Sequence, residues 1–368
     1  MFKIKKQISG LYLSSVLGNL SLTGAWVAIL AARGYSLVEI GIAETIFHAT
    51  SLLFEIPSGV LADVFGRKKM LIVSSIMRMI ANVIMILSQN LFMVCLSIAF
   101  HALSYNFASG TGDALAYDSL KKAKRENEFE RYESNQLTIY RLCSGVSTLC
   151  AGLALFLGHK IAYGTDLIMC VMQMFVLASL REVFAGEARS EREREKIGEL
   201  GREVVLCFKE CFLFLKKTRK TVKLMLCNSL VGAVDILLLF FLQAKLPEKE
   251  IPKWGLGFAL LFMEMGGIVG AKLILKAPGL KYKRVFAIAA ACVLAGFLAA
   301  HSKMYLLVTL GGFLAAVGDD ALQVRTNAVL QDMFPSKQRA TLTSMDSFTF
   351  SVVMIILSPL AGFVFSYW

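Results

Sequence analysis

Charge is what this sequence has least of. Only 18% of its 368 residues are Asp, Glu, Lys or Arg, against roughly 25% in soluble globular domains, while 56% are hydrophobic. That balance fits a chain solvated by lipid rather than by water. Histidine is scarce too: His48, His101, His159 and His301 are scattered, so no metal-ligand set is visible. The 8 cysteines form no paired framework. Cys143 with Cys150, and Cys207 with Cys211, fall on helical stretches and read as small apolar packing groups. A phosphate-binding loop, a zinc-protease helix motif and a nucleophile elbow are all missing. Nothing here supports an enzyme, and no cofactor or metal is expected.

The net charge of +12 would suit nucleic acid, but its placement argues otherwise. Apolar stretches of membrane-spanning length occur near 8–32, 38–62, 70–88, 91–115, 135–158, 161–180, 222–243, 254–275, 285–300, 303–322 and 340–364. Between them, one set of loops holds only Arg33, Lys160, Lys245, Lys249, Lys253 and Lys303; Arg78 and Arg141 lie within spans. All other basic residues fall on the opposite side. This asymmetry is topological and places the N-terminus in the cytoplasm of a multi-pass cell-membrane protein. Lys3, Lys5 and Lys6 precede a run too long for a signal-peptide core and long enough to span.

Between the second and third apolar stretches lies Glu55-Ile56-Pro57-Ser58-Gly59-Val60-Leu61-Ala62-Asp63-Val64-Phe65-Gly66-Arg67-Lys68-Lys69. Gly59 suits close helix approach, and Gly66 gives the freedom a reversal needs. Asp63 can cap a helix, and Arg67-Lys68-Lys69 marks the inner face. The stretch resembles the loop between spans 2 and 3 of the major facilitator superfamily, G-x-L-A-D-x-x-G-R-[RK], with Val64 where a basic residue is frequent. The resemblance implies a secondary transporter without naming its cargo. It further implies that Asp113 and Asp118, at the end of span 4, pair with Arg67 or Lys68 as a conformational gate. Asp319 and Arg325 would be the second half's equivalent.

The chain repeats itself, with Gly112-Asp113-Ala114-Leu115 returning as Gly318-Asp319-Asp320-Ala321-Leu322, 206 positions later. A worn copy of the signature loop runs from Gly270 to Arg284. Parallel repeats of this kind build two six-helix halves. The expected architecture is an all-α polytopic membrane protein with an N-terminal half at 1–183, a linker at 184–220 and a C-terminal half at 221–368. About 11 helices are expected, since the repeat of span 6 falls beyond Trp368. Within the linker, Leu200, Val204, Phe208, Cys211, Phe212 and Leu215 recur at helical spacing, which predicts an amphipathic helix at the membrane surface.

Ionisable groups inside spans are costly and are functional candidates. Glu44, His48, Ser51 and Glu55 form one stripe of span 2, within roughly 60° at 100° per residue. A buried carboxylate there can exchange a proton, and a neighbouring histidine can share it. The structural alternative pairs Glu55 with Arg78 of span 3. Asp235 in span 7 shares a face with Asn228 and Gly232 and is the leading coupling or cargo-binding acid. Glu264 in span 8 lies near Gly257, Gly267 and Gly270, with Arg141 of span 5 as a possible neutralising partner. On span 1, Tyr12, Ser15, Asn19, Thr23 and Trp26 share a face, as do His101, Tyr105 and Gly112 on span 4. By the resemblance these helices line a cavity, so Asn19, Trp26, His101, Tyr105 and Asn228 are candidate cargo contacts.

Apolar and aromatic faces with few polar anchors suit a lipophilic small molecule. The expectation is therefore alternating access with proton-coupled export of such a compound, by a monomer in the bilayer that does not bind nucleic acid. Against export, the G-P-x-x-G-G element of drug antiporters is reduced here to Gly152. Proton-coupled uptake of a small metabolite, and a non-transporting relative of the superfamily, remain as alternatives.

Overall fold

The computed structural model describes residues 3–183, 206, 209, 213, 216, 218–249, 251–333 and 339–367. The linker expectation, including its amphipathic helix, falls almost wholly outside them. The described chain is helical throughout its apolar stretches. In order the helices are α1 (Ile4–Asn19), α2 (Trp26–Ala32), α3 (Leu37–Phe65), α4 (Arg67–Leu87), α5 (Leu91–Ala108), α6 (Thr111–Lys122), α7 (Phe129–Leu149), α8 (Ala151–Leu157) and α9 (His159–Ser179). Then follow α10 (Arg219–Lys245), α11 (Lys253–Leu275), α12 (Tyr282–Ala299), α13 (Tyr305–Met333) and α14 (Arg339–Ser366). Among the described residues, nine helical segments are long and apolar enough to cross a bilayer, the α5–α6 segment counted once, and α7 with α8, bent by 49°, passes the same test as a pair. Large apolar side chains face outward, Phe156 at 76% exposure and Phe175 at 67% among them. Water would penalise such a surface; lipid solvates it.

Several boundaries differ from those expected. The first span is not one helix from 8 to 32 but two, broken at 20–25. There the Asp166 carboxylate of α9 accepts from the Leu22 backbone N–H at 3.0 Å, from Ser21 Oγ at 2.6 Å and from the Thr23 hydroxyl. Ser147 Oγ accepts the Ser21 backbone N–H at 3.0 Å. The donors freed by the break are thus satisfied inside the apolar region, the condition under which a membrane helix tolerates an interruption. On the other side of the break Arg78 donates to the Gly18 carbonyl at 2.6 Å, placing a cation at the negative end of α1. The expected common face of span 1 is accordingly split, with Thr23 and Trp26 lying beyond Asn19. Span 4 does not close at 115: α6 carries it on to Lys122 after a left-handed Gly110.

The signature loop reduces to one residue. Gly66, at φ 104°, alone separates α3 from α4, a conformation that side-chain-bearing residues avoid. The close approach expected at Gly59 is absent: among the described residues nothing lies within 4 Å of where its Cβ would be. The Asp63 side chain lies outside the described residues.

The helices gather into two compact units. One comprises residues 1–24, 49–147 and 157–206; the other comprises 25–48, 148–156 and 207–368. In the first, α4 packs between α5 and α9, and α1 lies on α9. A cluster of Leu11, Leu71, Leu115, Leu120, Tyr132 and Leu177 fills one end. In the second, α13 packs against α11 and α12, and α10 lies against α13 and α14.

Candidate functional site

Within the second unit, a pair of helices carries buried carboxylates toward one another. Asp235 of α10 is 4% exposed, and its Oδ1 has no hydrogen-bond partner. One turn earlier Gly232 leaves a gap, and the Asp319 carboxylate of α13 fills it, its Oδ1 3.2 Å from where a Gly232 Cβ would stand. Residues three apart share a helix face, so Asp319 and Asp235 stand about one turn apart on facing helices. Asn228, two turns below Asp235, is also buried, with its Oδ1 unpartnered, as is the neighbouring Ser229 hydroxyl. The next residue of α13, Asp320, is seated against Gly267 of α11 in the same manner. The two consecutive aspartates of the repeat are therefore docked on two different neighbours, each through a missing side chain.

Asp319 does not pair with Arg325. The Arg325 guanidinium donates instead to the carbonyls of Ala277 and Pro278, at 2.8 and 3.2 Å, holding the turn between α11 and α12. Glu264 accepts from Thr148 Oγ1 at 3.0 Å, while Arg141, expected as its partner, lies 6.0 Å from the Tyr140 ring centroid. The glycines around Glu264 do serve close packing: Gly257 abuts the Leu149 carbonyl, and Gly270 the Val317 carbonyl. Sequence reasoning passed over Asp346 of α14, half-buried with Oδ1 unpartnered. A lone acid inside an apolar run was the available signal.

The stripe on α3 is divided. Glu44 and His48 are both buried and joined, Nε2 to Oε1 at 3.2 Å, and the His48 ring meets Phe350 edge-on at 5.7 Å. Ser51 instead donates to Asn106 Oδ1 at 2.8 Å, and Asn106 returns a bond to the Ser51 carbonyl at 2.8 Å, a link that the sequence did not suggest. Glu55 is half-buried. Its proposed partner Arg78 is committed elsewhere, to Gly18, to Gln173 Oε1 at 2.9 Å and to Cys170 Sγ at 3.1 Å.

In the first unit Arg67 binds the Asp118 carboxylate and the Ala114 carbonyl, the latter at 2.5 Å. Of the two cations named for Asp118, Arg67 takes that place, and Lys68 donates to the Ala178 carbonyl at 2.7 Å. Asp113 is exposed and stands outside the pair. Glu182 was missed: it accepts the backbone N–H groups of Lys68 and Lys69, at 3.2 and 3.3 Å, capping α4 where the helix dipole favours an anion. Asn19 donates to the Ser15 carbonyl of its own helix at 2.8 Å. Trp26 meets Phe240 edge-on at 5.8 Å. His101 and Tyr105 are exposed.

Comparison with known proteins supplies the frame for these groups. The fold resembles that of the nucleoside transporter NupG (14% identity, 97% of this chain and 90% of that one, TM-score 0.72). It also resembles a mutant peptide transporter POT (13%, 97% and 88%, 0.72) and a D-xylose-proton symporter (12%, 96% and 87%, 0.62). At these identities the likeness concerns the fold alone. No curated protein matches the chain. The family model described as Major Facilitator Superfamily matches residues 8–300, and the chain belongs to that superfamily.

Proposed function

We propose that the protein is a proton-coupled secondary transporter that exports a lipophilic or amphipathic small molecule, with Asp235 as the coupling acid and Asp319 as its partner. One observation carries this reading: two buried carboxylates face each other across α10 and α13, and Asp235 has an oxygen without a partner. In a low-dielectric interior, two negative charges one turn apart repel strongly, and a proton held between them relieves the repulsion. Loading and release of that proton can bias a transporter between states. The Arg67–Asp118 pair serves as the gate of the first half, and the protein acts as a monomer in the cell membrane with its N-terminus in the cytoplasm.

The test uses proteoliposomes carrying an imposed pH gradient and a gradient-sensitive dye. Lipophilic cations should dissipate the gradient in the wild type, and Asp235→Asn should reduce this at least tenfold. Uptake of a small metabolite by symport is the second reading, favoured by structural neighbours whose names specify nucleoside transport and D-xylose–proton symport. Dissipation by sugars or nucleosides but not by lipophilic cations would select it. No dissipation by either class would remove the transport reading.

A further inference from the structure

A cleft of about 280 Å³ lies in the first unit where the N-terminal turns of α1 meet the segment joining α6 to α7. Three cations line it, Lys5 from α1 and Arg125 and Arg131 from the stretch that leads into the first turn of α7, with Glu128 the one acid among the lining residues. That acid is already bound: Arg125 holds both its oxygens, Nη2 to Oε2 at 2.7 Å. Lys5 and Arg131 are exposed and have no acidic partner among the described residues. The cleft therefore carries two uncompensated positive charges.

Its wall is preformed. Tyr12 stacks on Tyr132 at 5.2 Å, and Tyr132 on Phe129 at 6.1 Å. Tyr132 is 2% exposed within the leucine-rich cluster that fixes this end of the unit. Asn135 donates to the Tyr12 hydroxyl at 3.0 Å, which leaves the hydroxyl proton for an acceptor in the cleft. Ile4, Ile8 and Leu120 complete the lining with apolar surface. Cations at the rim, a hydroxyl donor and an apolar floor match one chemistry: a phosphate attached to an apolar body.

We propose that this cleft binds the phosphate of an anionic amphiphile, with Lys5 and Arg131 supplying the charge and the Tyr12 hydroxyl a hydrogen bond. Its place at the helix ends, beside the basic run Lys121-Lys122-Ala123-Lys124-Arg125, puts it at head-group depth. Basic pockets at the inner ends of membrane helices take acidic lipids in this way. The site is independent of the coupling acids, which lie in the other unit.

The experiment titrates the delipidated, purified full chain with phosphatidylglycerol or phosphatidylcholine and counts bound lipid by native mass spectrometry. Inorganic phosphate and glycerol phosphate are used as competitors. Phosphatidylglycerol should bind at least tenfold tighter than phosphatidylcholine. Lys5→Gln with Arg131→Gln should weaken it about thirtyfold, about fivefold per cation. Lys160→Gln, at the other end of α9, should leave it unchanged. Tyr12→Phe keeps the ring stack and removes the donor, so it should weaken binding several-fold, and it decides the matter should the double variant not elute as a single species. Glycerol phosphate binding as tightly as the lipid would make the ligand a soluble phosphate ester at the same site. Equal binding of the two lipids, or full-strength binding by a well-folded double variant or, in its place, by Tyr12→Phe, would overturn the assignment.

Discussion

Two glycines separate what shapes the coupling site from what holds the helices together. At Gly232 the obstacle to a methyl group is the Asp319 carboxylate, 3.2 Å away, the far end of a side chain that can rotate aside. At Gly296 the obstacles are the Gly311 carbonyl at 2.7 Å and Ala315 Cβ at 2.8 Å, neither of which can move without shifting α13. Gly232→Ala should therefore leave thermal stability in detergent near the wild-type value while lowering proton-coupled flux several-fold. Gly296→Ala should cost about 1–3 kcal/mol, the usual range for overpacking, visible as a lower unfolding midpoint and less folded protein. The Arg67–Asp118 pair offers a third residue-scale measurement. A double-mutant cycle of Arg67→Gln and Asp118→Asn, read by unfolding in detergent, should give a coupling of about 1 kcal/mol, in line with polar pairs between membrane helices. A coupling near zero would mean that Arg67 is anchored without help from Asp118.

At the scale of the element, the break in the first span depends on a residue more than 140 positions away. Asp166 accepts three bonds around residues 21–23, so Asp166→Ala should destabilise the protein by roughly 2–3 kcal/mol through the donors left unpaired. Asp166→Asn, retaining one acceptor oxygen, should cost less, and both are measured by thermal unfolding. Nothing in Asn19-Leu20-Ser21-Leu22-Thr23-Gly24 announces the break, because no proline stops the helix and the capping acid is remote in sequence. The signature loop, by contrast, was legible, since its glycine and basic run are local and Gly66, at φ 104°, does supply the backbone freedom expected for the reversal. Asp235 stands out for a related reason, as a lone acid in an apolar run, and it is buried. What the sequence withheld was the partner of several charges: Arg78 went to a helix end rather than to Glu55, and Arg325 to turn carbonyls rather than to Asp319. A polar side chain in a bilayer takes whichever backbone group packing has left unpaired, and packing is not written in the spacing of one helix.

For the whole molecule, the sidedness of the basic residues and the order of the helices make one joint prediction. Read as eleven crossings, with α1 and α2 counted once and α7 and α8 counted once, the chain is expected to carry Ile4 and Tyr367 on opposite faces of the membrane. In a cysteine-free background, single cysteines at Ser36, Ser302 and Tyr367 should react with an impermeant thiol reagent added to intact cells. Cysteines at Lys124 and Gly279 should react only after the membrane is opened. Each position tests a different argument: Lys124 and Gly279 adjoin basic clusters, where the positive-inside rule acts, whereas Tyr367 depends on the helix count alone. Labelling at Gly279 from outside, with Lys124 protected, would mean that the chain between α6 and α12 crosses one time more or fewer than these helices allow. Such an error would lie at the α7–α8 pair, which is bent by 49° and is apolar enough to cross only when its two pieces are taken together. Labelling at Tyr367 only after opening, with the other four as expected, would instead confine the error to α13 and α14 and leave α10, which carries Asp235, on a crossing of settled direction.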